Sequence, residues 1–219
     1  VAHTPPIFVT GTPRSGASMT ARILAGCGAF GGCARLGGRG RNTQENPHIH
    51  RFLSSCFTDM GRDVRGQYPL PEPSDLVKCK MGFAEAVRFH LKRSGYVEGP
   101  WMYKDPRMCL VWSFWTNSFP NAKWVIVRRR DEEIINSCQR TGYMDAFHDW
   151  GGWQWWVNQY KSRFKDIRLA ASSRVREVWP GKFIDGDLGE VMQVVDWLGL
   201  EWKEPQVRCI LKPASTKDT

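Results

Sequence analysis

Three short stretches of this sequence carry residues able to hold an anion or move charge. Gly11-Thr12-Pro13-Arg14-Ser15-Gly16-Ala17-Ser18 keeps the Gly-x4-Gly-x-Ser/Thr spacing with which a nucleotide-binding P-loop curls backbone amides round a phosphate at a helix N-terminus. The lysine that normally follows the second glycine is absent. Ala17 takes its place, and the cation appears at Arg14 inside the loop. A nucleoside triphosphatase lacking that lysine would lose its contact to the β and γ phosphates. Arg128-Arg129-Arg130, with Ser137 further on, offers a guanidinium for bidentate phosphate binding and a hydroxyl two helical turns into the next element. Tyr103-Lys104-Asp105-Pro106-Arg107 puts a cation at a third such point, with Asp105 and Arg107 read as a local ion pair that shapes the turn.

The elements that must position these residues alternate in period. Strands are expected at Ile7–Thr10, Trp101–Lys104, Lys123–Val127 and Lys182–Asp185, as short apolar runs bounded by turn residues. Helices are expected over Ala17–Cys27, Pro47–Met60 capped by Asn46, Leu76–Arg93, Met108–Ser118, Asp131–Thr141, Trp150–Ala171 and Leu188–Leu198, the last closed by Gly199. Gly28–Gly40 reads as a basic, glycine-rich loop, and Tyr68–Pro73, with three prolines, as irregular chain. Strands separated by helices predict one domain, residues 1–219: an α/β three-layer sandwich with a central parallel sheet. In such a sheet ligands bind at the carboxyl ends of the strands, and all three polar stretches fall there.

Composition agrees with a single globular domain: 219 residues, 42% hydrophobic, with no apolar run long enough to cross a bilayer. Lys and Arg number 31 against 22 Asp and Glu, a formal charge of +9, which implies an anionic partner. Over half of that excess lies in residues 1–66, which hold eight arginines, among them Arg35, Arg39 and Arg41, and no lysine. Seven cysteines occur singly (Cys27, Cys33, Cys56, Cys79, Cys109, Cys138, Cys209). They are expected to be reduced and mostly buried, with no metal site. Of the 11 tryptophans, most belong to a core stripe of Trp150, Trp153, Val157, Tyr160, Phe164 and Ile167 at helical spacing. Trp155 falls off that stripe and is a candidate for stacking on an acceptor or an adenine.

Pro13-Arg14-Ser15-Gly16-Ala17-Ser18 after a strand resembles the 5'-phosphosulfate loop of sulfotransferases that use 3'-phosphoadenosine 5'-phosphosulfate (PAPS), with Ala17 in place of the usual threonine. Val125 to Ser137 is similar to that family's 3'-phosphate motif, and the KDPR segment at Lys104 to its tyrosylprotein-type, bacterial and phage-like branches. Arg41 to Ile49 is similar to a third family stretch, Asn42 replacing its glycine. Weaker likenesses are the late segments Phe183–Leu188 and Trp197–Leu200. The resemblance runs from Ile7 to Leu200 and leaves Gly28–Gly40 and Gly61–Leu76 unmatched.

The resemblance implies a P-loop sulfotransferase fold and a PAPS cofactor, leaving 3',5'-adenosine diphosphate (PAP) as product, with no metal. It implies that Pro13, Arg14, Ser15, Gly16, Ala17, Ser18 and Met19 cradle the phosphosulfate, that Arg129 and Ser137 hold the 3'-phosphate, and that Lys104 and Arg14 stabilise the transferring group. It makes Glu45 the general base, with His48, His50 or no protein base as alternatives. The expected acceptor is a small molecule, carbohydrate or peptide, with Thr141–Gly152 as an acceptor-side lid and the tail around Lys212-Pro213 folding over the cofactor. No nucleic-acid or membrane partner is expected. The start Val1-Ala2-His3 shows no signal-peptide pattern, so the expected location is the cytoplasm. Rival readings are a P-loop nucleotide kinase or NTPase, a non-catalytic basic domain binding nucleotides or nucleic acid, and a relative that binds PAPS without turning it over.

Overall fold

In the computed structural model the described residues are 4–32, 44–77 and 82–211. Their centre is a sheet of four parallel strands in the order β2-β1-β3-β4. β1 is Ile7–Gly11, β2 Met102–Lys104, β3 Lys123–Val127 and β4 Val175–Val178. β1 is buried throughout, and β3 nearly so, the near-continuous apolar run of a strand covered on both faces.

Alternation along the strands sorts two cores. Phe8, Tyr103, Trp124 and Ile126 face one way. They pack under α2 (Pro47–Asp59), α3 (Phe83–Arg93), α4 (Trp112–Ser118) and α6 (Trp150–Ala171). Ile7, Val9, Met102, Val125 and Val127 face α1 (Ala17–Gly26), α7 (Pro180–Ile184), α8 (Gly189–Leu198) and α9 (Glu204–Leu211). α5 (Asp131–Gln139) follows β3. The result is the three-layer parallel α/β sandwich expected from sequence.

Several boundaries differ from expectation. The last strand is not Lys182–Asp185 but Val175–Val178, because Pro180 at the first turn of α7 presets a helical φ. Phe183 in that helix is buried while Ile184 is 62% exposed. Of the helix expected from Leu76, residues 78–81 lie outside the described ones, Asp75–Val77 is a 3-10 turn, and the described helix begins at Phe83, where Gly82 enters it at φ 81°. Met108–Ser118 divides into a 3-10 turn, Pro106–Val111, and α4, because Asp105 caps the chain immediately after β2. On α6 the buried stripe is Trp153, Trp156, Val157, Tyr160, Phe164 and Ile167, whereas Trp150, at the helix's first position, is 42% exposed. α9 was not anticipated as a helix.

Cys27, Cys56, Cys109 and Cys138 are buried, and Cys209 is exposed. Burial pushes the Cys138 thiol up to about 12. Cys33, Cys79, Arg35, Arg39, Arg41, Asn42 and the Lys212-Pro213 tail fall outside the described residues.

Phe8 anchors the larger core, with its ring edge-on to Trp101, Trp115, Phe119 and Trp124 at centroid distances of 5.1–6.0 Å. Phe8→Ala should lower unfolding stability by about 3–5 kcal/mol. The exposed Phe89→Ala should change it by less than about 0.5 kcal/mol. Urea titrations of the two variants compare them directly.

Candidate active site

Strand register decides which side chains meet. Val9 of β1 lies beside Lys104 of β2, and Gly11 beside Val127 of β3. The loop after β1 therefore emerges between the ends of β2 and β3, and the three polar stretches share one edge of the sheet.

The loop is a tight curl. Ser15 N–H donates to the Thr12 carbonyl at 3.0 Å, and Arg14 adopts φ 74°. Gly16 opens α1 at φ 97°, and a Cβ there would lie 2.9 Å from Pro180 Cγ, so both conformation and space require glycine. The amides of Gly16 and Ala17 donate to no backbone carbonyl among the described residues, as expected at an uncapped helix N-terminus that can receive an anion. Ala17 is itself buried in the smaller core, so the side chain that replaces threonine packs while its amide stays at the loop. The Ser15 hydroxyl is buried and has no hydrogen-bond partner among the described residues. Pro13 and Met19 are partly buried beside these residues.

On the β3 side, Arg14 Nε donates to Ser137 Oγ at 2.9 Å, and Arg129 Nη1 donates to the Arg14 carbonyl at 2.9 Å. Arg129 Nε also pairs with Glu133 at 2.8 Å. The loop and the strand-end arginine thus form one cluster, which spacing alone did not require. Tyr143, unremarked in the sequence, joins it: its hydroxyl lies 3.4 Å from Arg14 Nη1.

On the β2 side, Lys104 is almost fully buried, with Nζ 2.9 Å from Glu45 Oε1 and 3.0 Å from Ser18 Oγ. Asn46 caps α2 by accepting from the amides of His48 and Ile49, and so fixes where Glu45 enters. His50 turns toward the site, its Nδ1 3.5 Å from Glu45 and 2.7 Å from Arg107 Nη2. The same nitrogen is 3.2 Å from Asp105 Oδ2, so the ring is engaged by the Asp105–Arg107 pair in either tautomer. His48 lies apart, its ring parallel to that of His90 at 6.4 Å.

Asp105 and Arg107 are a buried bidentate pair, at 3.0 Å from Nε to Oδ1 and 2.6 Å from Nη2 to Oδ2. Asp105 also accepts from the Arg107 amide and the Tyr103 hydroxyl, each at 2.9 Å. Arg107 Nη1 reaches Ser54 of α2 and the Val64 carbonyl. Burial alone would raise the Asp105 carboxyl, but the Arg107 guanidinium and the His50 contact hold it well below the usual carboxylate range. The pair shapes the turn, as expected, and also ties α2 and the chain at Val64 to it.

Trp155 is half-exposed and meets Tyr68 and Phe147 edge-on at 6.1 and 5.9 Å. Among the described residues no group of three or more His, Cys, Asp or Glu is placed to hold a metal ion. Nor does any described helix have the length and apolar character to cross a membrane.

Comparison with known proteins gives one family: a model described as the sulfotransferase family matches residues 5–204. No curated protein sequence matches the chain. Among solved structures, the sulfotransferase domain of the Synechococcus PCC 7002 olefin synthase is similar with a TM-score of 0.61 at 16% identity, over 97% of this chain and 79% of that one. The sulfotransferase domain from the curacin biosynthetic pathway gives 0.61 at 13%, over 97% and 80%. The sulfotransferase STF1 of Mycobacterium tuberculosis H37Rv gives 0.58 at 16%, over 96% and 71%. At such identities the structural likeness shows a shared fold.

The depressed Asp105 carboxyl sets the sign of a pH effect. Its contribution is complete above the ordinary carboxylate range and is lost as pH falls through the lowered folded-state value. Asp105→Asn should therefore cost about 3–5 kcal/mol near neutral pH by stranding Arg107. The gap to wild type should narrow as the solution is acidified, as read by denaturant midpoints across pH.

Proposed function

The chain belongs to the sulfotransferase family, and on that premise we propose that it transfers a sulfuryl group from PAPS to a hydroxyl or amine of an acceptor. The observation that carries this reading is the convergence of Arg14, Arg129 and Lys104 on one loop whose helix-opening amides have no backbone acceptor among the described residues. Three cations from three strand ends suit a compact, multiply charged nucleotide. A triphosphate held through a loop lysine would need a residue that Ala17 does not supply.

The residues fit the group. The amides of Gly16 and Ala17 and the guanidinium of Arg14 would hold the 5' end, with Arg129 and Ser137 at the 3'-phosphate. When bound, PAPS supplies an activated sulfuryl group whose transfer leaves charge on a bridging phosphate oxygen. Lys104, on the other side of the loop, is the cation that can meet charge developing there.

Glu45 is the favoured base on geometry, because its rivals are engaged or distant. His50 Nδ1 is held between Asp105 and Arg107, and His48 faces His90. Base and cation are coupled here. Glu45 that takes a proton gives up the charge that pairs with Lys104 at 2.9 Å, so proton uptake releases the ammonium for the leaving oxygen. Positioning the acceptor against this pair supplies much of the remaining rate.

PAP at a hundred times its dissociation constant should raise the melting midpoint by about 5–10 °C, from about 2.7 kcal/mol of linkage and roughly 2–4 °C per kcal/mol at this size. A shift with ATP and magnesium but none with PAP would overturn the reading. Glu45→Gln should retain PAP affinity within about threefold and lose about a hundredfold or more in transfer of labelled sulfate from PAPS to a panel of phenols, sugars and tyrosine peptides. A loss no larger than about twofold would remove Glu45 from the base role.

A further inference from the structure

The stretch Gly61–Leu76, which carries none of the motifs read from the sequence, holds a wall of the site. Gln67 in it is 1% exposed, and its side chain serves a loop 76 to 79 residues away. Nε2 donates to the Tyr143 carbonyl at 2.8 Å, while Oε1 accepts from the amides of Asp145 and Ala146 at 3.0 and 3.2 Å. Arg65 adds a bond to the same Tyr143 carbonyl at 3.1 Å and an ion pair with Asp145 at 2.9 Å.

Gln67 is fixed from below. Its amide donates to Asp63 at 2.7 Å, and the carbonyl of Gly66 accepts from Trp156 Nε1 and the Tyr160 hydroxyl, both at 2.9 Å. Gly66 has φ 70°, and a Cβ there would lie 2.7 Å from the Tyr160 oxygen, so the stretch can approach α6 this closely only with glycine.

The segment so clamped presents one side chain to the cation cluster. Tyr143 is 57% exposed, yet its carbonyl and the amides of Asp145 and Ala146 after it are held by Gln67. Its hydroxyl oxygen faces Arg14 Nη1, and Ser137 Oγ faces Arg14 Nε. Arginine can only donate, so both oxygens act as acceptors, and neither O–H has an acceptor among the described residues. One guanidinium therefore aligns two hydroxyl donors side by side, an arrangement suited to an anion, since hydrogen bonds to a charged acceptor are the stronger kind.

We propose that Tyr143 is a further nucleotide-binding residue, donating its hydroxyl to the 3'-phosphate beside Ser137, and that Gln67 is the residue that positions it. This rests on the sulfotransferase reading above and adds to it a ligand contact and its support from a different part of the chain. It also changes the role expected of Thr141–Gly152, whose first half serves the nucleotide rather than the acceptor.

Calorimetric titration of PAP and of 5'-AMP, which lacks the 3'-phosphate, tests both parts. Tyr143→Phe keeps the ring and should weaken PAP about ten- to hundredfold, with 5'-AMP changed less than about twofold. Gln67→Ala should weaken PAP by a similar factor, and the double variant should be little worse than either single one, because the two act as one unit. Retention of one unfolding transition by Gln67→Ala shows that the loss is not one of folding. PAP binding by Tyr143→Phe within about twofold of wild type would overturn the inference alone, as would an equal loss for 5'-AMP. Failure of the wild-type protein to bind PAP would overturn the sulfotransferase reading and this inference with it.

Discussion

The buried pair of Asp105 and Arg107 is the interaction through which the rest of the site is assembled. Asp105 follows β2 and caps the turn after it, so the pair sits where the strand hands the chain to a buried 3-10 turn. Arg107 then fastens α2 through Ser54 and His50 and the unmatched stretch through the Val64 carbonyl. α2 brings in Glu45, and the stretch beyond Val64 brings in Gln67. Two charges taken out of water are costly unless their remaining hydrogen-bonding capacity is filled, and here the neighbours that fill it are the segments that carry function. Structural satisfaction and site geometry are one requirement at this turn.

The cations of the site are held in place before any ligand arrives. Lys104 rests on Glu45 and Ser18, Arg14 on Ser137, and Arg129 on Glu133 and the loop's own backbone. Such partners prevent like charges from splaying apart and reduce the reorganisation needed on binding. They also link protonation to charge supply on the β2 side, where the carboxylate that would accept a proton is the one that restrains the lysine. On the β3 side Arg14 meets hydroxyls, which orient without neutralising, while Arg129 is paired with the Glu133 carboxylate.

Much of this was legible from local pattern. The loop at Gly11–Ser18, the arginine run at the end of β3 and the lysine at the end of β2 each follow an apolar strand, and parallel packing sends such ends to one edge. Other features had no local signature. Val175–Val178 is a strand because β3 offers it an unpaired edge, not because its composition sets it apart. Phe183-Ile184 looked like strand interior, yet the preceding proline commits it to a helix. Trp156 and Trp150 exchange places relative to the expected stripe because which turn of α6 reaches the core depends on what lies opposite it.

Sequence alone determined the fold class, the glycine-bounded loop after β1 and the three cationic strand ends, because backbone period, glycine placement and charge act over a few residues. Tertiary structure decided which partners those cations have: Lys104 with Glu45, Arg14 with Ser137 and Tyr143. It also decided that an ordinary-looking glutamine, Gln67, fixes a loop more than seventy residues further on. The physical reason is that hydrogen-bond satisfaction of a buried amide is a property of the space around it. That space comes into being only when the sheet register has brought the distant segments together.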